Sequence, residues 1–259
     1  IMVLPELWAS GFDYAHAADL ADRTPALLEK VAGLAGKHGV LLGGSCLEKG
    51  SSPDGGSHLY NTFFLVGAQG VIDSYRKQHL FSLWQEDRFF TAGGKSGPLD
   101  TAHGPVGALV CYDLRFPELA REQAFAGAKL LLVAAQWPKV RLDHWRTLVQ
   151  ARAVENQLYV VAGNGCGVSG EHELAGHSMV VGPDGSIAAE AGTGEKVMAV
   201  ALNPAEIVRV RSRFCSAAER PYRSVSTAKI VTLPRLQDQL RPIREQGGRG
   251  AFTNGCFDI

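Results

Sequence analysis

Cys111 closes the apolar run Val106–Val110, and Tyr112-Asp113-Leu114-Arg115-Phe116-Pro117 lead from it into a helical stretch. A thiol at such a strand-to-helix corner meets free backbone N–H groups and the positive end of the helix dipole. Both favour the thiolate, which is a nucleophile. The competing reading is an inert buried cysteine packed as a small hydrophobe. Two more chemically useful residues end apolar runs in the same way. Leu4-Pro5-Glu6 sets a carboxylate just past Ile1–Leu4, which reads as the last residues of a buried strand. Tyr75-Arg76-Lys77 sets a lysine at the end of Val71–Lys77. Taken singly, Glu6 and Lys77 read as surface charges.

Taken in order, Leu4-Pro5-Glu6, then Tyr75-Arg76-Lys77-Gln78-His79-Leu80-Phe81, then the run from Val110 through Cys111 to Leu119 resemble the nitrilase superfamily of carbon–nitrogen hydrolases. The resemblance extends from residue 1 to about residue 223, taking in Ala151–Gln157, Gly176-His177-Ser178 and Gly182–Gly185. It implies a four-layer α-β-β-α sandwich with Glu6, Lys77 and Cys111 as the catalytic triad. It also implies that Glu86, in Trp84-Gln85-Glu86-Asp87, is a second acid supporting the lysine and the base. In the implied mechanism Glu6 takes the Cys111 proton and the thiolate attacks an amide carbon. The oxyanion then rests against the Lys77 ammonium and the backbone N–H of Tyr112. Glu6 returns its proton to the departing ammonia, and a water activated by Glu6 cleaves the thioester. This chemistry needs no metal and no organic cofactor.

The stretch from Ala135-Gln136-Trp137-Pro138 to His144-Trp145 most resembles the ω-amidase-like branch. Those enzymes hydrolyse the terminal amide of small dicarboxylic monoamides such as 2-oxoglutaramate. Tyr112, Arg115, Gln136 and Trp137 are the candidate substrate contacts. Core packing is an equal reading for Trp137, and bracing the loop is an alternative for Arg115. Rival functions are an N-carbamoyl hydrolase, another small-amide hydrolase, and a catalytically silent binding module. The expected partner is a small-molecule amide, with the homodimer usual in the family.

These residues must be held by regular elements, and the pattern supplies them. Thr24-Pro25 opens a helix to residue 38, and Val40–Gly44 is a strand. Tyr60–Val66 and Val71–Lys77 form a hairpin. Strands at Val106–Val110, Leu130–Ala134 and Leu158–Ala162 alternate with helices at Glu118–Phe125 and Asp143–Glu155. Met179–Val181 and Ile187–Glu190 flank a second hairpin turn, followed by a strand at Val197–Leu202 and a helix at Ala205–Arg211. The class is α/β, with two mixed sheets covered by helices.

Composition narrows the partners. Twenty-six basic and 26 acidic side chains cancel over 259 residues, so no global basic field exists to hold nucleic acid or an anionic membrane. No apolar run approaches the ~20 residues of a membrane-spanning helix. The cysteines number five and lie far apart, which reads as a reduced, cytoplasmic protein.

Three motifs fail on context. Gly165–Gly170 matches G-x-G-x-x-G, but Glu171-His172-Glu173 stand where a nucleotide-binding helix should begin. Gly94-Lys95-Ser96 would need its first P-loop glycine at Phe89. His172 and His177 are five apart and would not share a helical face.

Residues 1–223 are read as an amidase domain lacking the first strand and helix of its family. Residues 224–259 are read as a linker, a helix over 232–246 and a truncated second domain. There Ala251–Ile259 resembles the first strand of the cytidylyltransferase-like nucleotidyltransferases, closest to the adenylyltransferase of heptose synthesis.

Overall fold

The computed structural model describes residues 1–51, 57–94 and 97–218, together with Arg241 and Glu245. One sheet contains β1 (Met2–Val3), β2 (Leu42–Ser51), β3 (Ser57–Gly67) and β4 (Gly70–Arg76) in that order. β1 runs parallel to β2 and the other pairs are antiparallel. Gly70, at φ +112°, makes the tight β3–β4 turn possible.

The second sheet begins with β5 (Gly107–Val110), β6 (Leu130–Ala135) and β7 (Tyr159–Asn164), all parallel. β8 (Cys166–Ser169) and β9 (His172–Ala175) then pair with each other as a separate hairpin. β10 (Met179–Val181) and β11 (Ile187–Glu190) return to complete the sheet order β11-β10-β7-β6-β5.

Helix α1 (Ala17–His38) covers the first sheet, while α2 (Pro117–Phe125) and α3 (Leu142–Asn156) cover the second. α4 (Pro204–Arg213) follows, capped by the Asn203 side chain on the Ala205 N–H. Between the sheets Phe63, Leu65 and Tyr75 pack with Ala108, Val110 and Leu132, while Leu109, Leu131 and Val160 turn to the helix-covered face. The result is the expected four-layer α-β-β-α sandwich. β6 reads Leu-Leu-Leu-Val-Ala-Ala because both of its faces are covered. Fully burying side chains such as Leu131, Leu132 and Val133 contributes about 1.5–3 kcal/mol each.

Four expectations are corrected. Ile1 and Met2 are 52% and 42% exposed, because β1 lies at the sheet edge rather than in its interior. Helix α1 begins at Ala17, not Thr24, and carries Pro25 inside it. Buried Ala17 and Ala21 extend its apolar stripe by two turns, which outweighs the hydrogen bond that Pro25 cannot donate. β2 runs on to Ser51 because each of its residues finds a partner on β3. Residues 197–202 are not a strand. Met198, Val200 and Leu202 are half-buried and Val197, Ala199 and Ala201 exposed, so the alternation is real, but no ladder forms there.

Gly165–Gly170 enters the β8–β9 hairpin instead of a helix. His172 stacks on Trp84 at 4.1 Å, whereas His177 pairs with Glu190 at 2.7 Å. One compact unit spans Ile1–Ala218, with the Ala217 N–H donating to Gln157 Oε1 at 3.2 Å. Residues 219–259 form a second unit. Arg241 and Glu245 are helical, within the helix expected over 232–246. The boundary at 223, the linker and the 251–259 strand lie outside the described residues, as do Lys95 and Ser96.

Candidate active site

Glu6, Lys77, Glu86 and Cys111 meet at the floor of one cleft. Each is delivered by the end of an element. Pro5 stops β1, and the chain turns through Leu7 at φ +41°, whose N–H donates to Ser45 Oγ at 2.8 Å. That turn buries Glu6 completely. Lys77 follows β4, and its N–H extends the ladder to the Asn61 carbonyl at 2.9 Å. It shares a face with Tyr75, two residues back, which lies in the core between the sheets. Glu86 opens a short 3-10 turn, Glu86–Arg88, directly after Gln85 at φ +58°.

Cys111 follows β5 and begins the 3-10 turn Cys111–Arg115 at φ +46°. A non-glycine residue held there costs roughly 1–3 kcal/mol and persists when its surroundings over-determine it. Gln136 follows the neighbouring parallel strand β6. Reacting groups thus gather at the carboxyl ends of parallel strands, where open α/β sheets place their sites. Glu6 and Lys77 come from one sheet, and Cys111 and Gln136 from the other.

The hydrogen bonds are dense. Lys77 Nζ donates to Glu6 Oε1 at 2.8 Å and to the two Glu86 oxygens at 2.8 and 2.7 Å. Asn61 Nδ2 donates to Glu6 Oε1 at 2.8 Å and Glu86 Oε1 at 3.1 Å. The Gln136 N–H donates to Glu6 Oε2 at 3.1 Å, and its side-chain Nε2 to the Glu6 carbonyl at 2.7 Å. The Phe81 N–H completes Glu86 at 2.7 Å.

One buried ammonium thus serves two buried carboxylates, so ionising everything leaves an uncompensated negative charge. Burial pushes the Glu6 carboxyl up; Lys77 pulls it down and Glu86 repels it upward. Burial opposes the Lys77 charge, but Glu6 and Glu86 outweigh it and hold the ammonium well above its ordinary range. Burial pushes the Cys111 thiol well up, and Glu6 adds to this against the pull of Lys77. The corner geometry favours the thiolate, but burial and Glu6 outweigh it and hold the thiol proton more tightly than usual, in keeping with the implied mechanism in which Glu6 takes that proton.

The substrate-side candidates also line the cleft. Tyr112, second in the Cys111–Arg115 turn, sets its ring 4.9 Å from Phe81 and 5.4 Å from Phe116. Gln136 is buried and spends its N–H groups on Glu6, which makes it a brace for that residue. Trp137 is both packed in the core and part of the cleft wall. It is buried 5.6 Å from Trp145, and it faces the cleft beneath the Arg115 guanidinium, 4.8 Å from its ring. Arg115 also reaches the His144 Nδ1 at 3.2 Å.

Sequence reasoning missed Asn61 and Asp113. Asn61 lies on the same face of β3 as Phe63 and Leu65, so a polar residue in an apolar alternation was the available signal. Asp113 is fully buried and accepts from Tyr75 OH (2.9 Å), the His79 N–H (2.8 Å) and the Val110 N–H (3.3 Å). It ties the lysine-bearing strand end to the turn that begins at Cys111, a connection across the chain with no local pattern.

Set beside known proteins, residues 1–212 match the family model for carbon-nitrogen hydrolases, and the chain belongs to that family. It is 38% identical over 216 residues to a 2-oxoglutaramate amidase of Bacillus subtilis, covering 82% of this chain and 81% of that one. Its fold is similar to the crystal structure of a Saccharomyces cerevisiae member of branch 10 of the nitrilase superfamily. The TM-score is 0.76 at 33% identity, covering 85% of this chain and 82% of the other. It is also similar to an amidase from Nesterenkonia whose active site cysteine has undergone Michael addition of acrylamide. The TM-score there is 0.69 at 29% identity, covering 82% and 83% of the two chains. Among the described residues, no helix is long and apolar enough to cross a membrane.

Proposed function

We propose that the protein is a cysteine-dependent amidase of the ω-amidase type. It would hydrolyse the C–N bond of a small dicarboxylic monoamide such as 2-oxoglutaramate to ammonia and a carboxylic acid. The observation that carries this reading is the buried Glu6–Lys77 contact at 2.8 Å on the floor of the cleft that Cys111 lines. The similarity to a protein named 2-oxoglutaramate amidase supports the substrate class.

In this reading Glu6, with its carboxyl raised by burial, is the base that takes the Cys111 proton as the sulfur attacks the amide carbon. Lys77, kept charged by its two carboxylates, and the Tyr112 N–H receive the oxyanion. Glu6 passes the proton to the leaving nitrogen, and ammonia departs. Glu6 then activates the water that opens the thioester. Glu86 and Asn61 hold Lys77 and Glu6 in register throughout.

Ammonia release from 2-oxoglutaramate, succinamate, glutamine and an N-carbamoyl amino acid tests the reading. Turnover should be fastest with the dicarboxylic monoamides and disappear in Cys111→Ala. Carbon dioxide released with the ammonia would instead identify an N-carbamoyl hydrolase. A Cys111→Ala protein with full turnover would remove the mechanism. We further propose a homodimer in the cytoplasm; the four described cysteines are free thiols, which supports a reducing compartment. For residues 251–259 we propose, on their sequence resemblance alone, the leading strand of a nucleotidyltransferase domain. Adenylyltransferase assay of the complete gene product tests it.

A further inference from the structure

The outer part of the cleft carries a charge arrangement that the hydrolytic steps leave unused. Arg115 and Arg141 both line it, half-buried, above the fully buried Glu6 and Lys77. Neither guanidinium has a carboxylate within salt-bridge distance among the described residues. Elsewhere Arg76, Arg146, Arg152 and Arg209 each hold one, on Glu48, Glu190, Glu155 and Glu206. Instead Arg115 lies over Trp137, and Arg141 lies over Phe81 at 5.7 Å.

Trp137 is the common brace. Its ring carries Arg115, and its Nε1–H donates to the Arg141 carbonyl at 2.9 Å. The two cations are near enough that Arg141, after burial, weakens the hold of Arg115 on its proton. Like charges held together without an anion repel, and an anion placed between them relieves the repulsion while gaining charge-assisted hydrogen bonds. The guanidinium fork matches a carboxylate in particular.

We propose that Arg115 and Arg141 form an anion subsite for the far carboxylate of the amide substrate. It also acts as a charge filter against amides that carry an ammonium at that end. This rests on the amidase reading and adds to it a physical basis for choosing among amides. Succinamate and 2-oxoglutaramate present only negative charge to the arginines. L-Asparagine and L-glutamine present an ammonium beside the carboxylate, which two guanidiniums repel.

The test uses Cys111→Ala protein, which binds without turning over, and calorimetric titration with three four-carbon amides. Succinamate carries the carboxylate, butyramide replaces it with a methyl group, and L-asparagine adds the ammonium. Succinamate should bind at least ten times more tightly than either of the others. Adding Arg141→Gln should shrink its preference over butyramide on the order of 10- to 100-fold, Arg115→Gln should do the same, and Arg141→Lys should restore part of it. Thermal melting of each variant checks that the fold is kept. An undiminished preference in Arg141→Gln would sink the subsite and leave the amidase reading standing. Arginine-dependent binding of succinamate, in a chain whose unmutated form hydrolyses no amide, would uphold the subsite and sink the amidase reading.

Discussion

At the residue scale the chemistry turns on how burial sets protonation. Glu6 is raised by burial, so as the pH falls it becomes protonated above the ordinary carboxylate range, and in the proposed mechanism the base is lost early. The acidic limb of kcat/KM should therefore lie above pH 4.5, the ordinary carboxyl value, and a profile flat down to pH 4.5 would contradict the assignment. Lys77 is raised, so its charge, and the stability it lends through Glu6 and Glu86, persists below its ordinary value of 10.5. That contribution should fade only as the pH climbs past this value toward its higher folded one. Glu6→Gln should lower kcat by about 10²–10⁴ with the fold retained, measured as ammonia release alongside circular dichroism. The meeting of Glu6, Lys77 and Cys111 was legible because each follows an apolar run, where a polar residue has to be explained. Their protonation was not, because desolvation depends on what closes over the cleft, and Phe12, Phe81 and Trp137 come to it from separate parts of the chain.

At the element scale, positioning rests on strand ends being tied to one another. Gly93 donates its N–H to the Lys77 carbonyl at 2.7 Å, and a Cβ on Gly93 would lie 2.4 Å from the Arg76 carbonyl. Gly93→Ala must push the end of β4 aside. We expect a loss of about 1–3 kcal/mol in urea unfolding and a fall in kcat larger than that in the folded fraction. Asp113→Asn keeps the shape of its side chain but removes an acceptor charge from Tyr75, His79 and Val110. It should cost about 1.5–3 kcal/mol and lower kcat with little change in KM; a change in KM alone would place Asp113 outside the positioning network. The strands and the α2 and α3 helices were readable from their periods. The first turns of α1 were not, because Pro25 reads as a helix start and the small residues Ala17 and Ala21 give a weak apolar signal before it.

At the scale of the whole molecule, each sheet supplies half of the site. Glu6, Lys77 and Asn61 come with the first, and Cys111 and Gln136 with the second. No unfolding that separates the sheets can leave a working remnant. Loss of activity and loss of the buried environment of Trp145 should therefore coincide in urea, and activity disappearing at clearly lower urea would show the site loosening ahead of the core. Leu132→Ala, at the centre of the shared core, should cost about 2–5 kcal/mol and move both transitions together. The sandwich itself was legible through alternation and family resemblance. Residues 197–202 show the limit: an alternating pattern records which side chains face inward, and a ladder also needs a neighbour with free backbone groups.

The left-handed backbone at Cys111 sets stability against function at a single position. Elsewhere an alanine is generally the more stable choice over glycine by roughly 0.5–1 kcal/mol, because glycine loses more freedom on folding. At position 111 the order should invert, with Cys111→Gly melting above Cys111→Ala although both are inactive and both lack the sulfur. A drift toward a more comfortable backbone at this corner would thus improve the fold while ending the chemistry. Thermal melting of the two variants side by side measures how much conformational comfort Cys111 has been made to forgo.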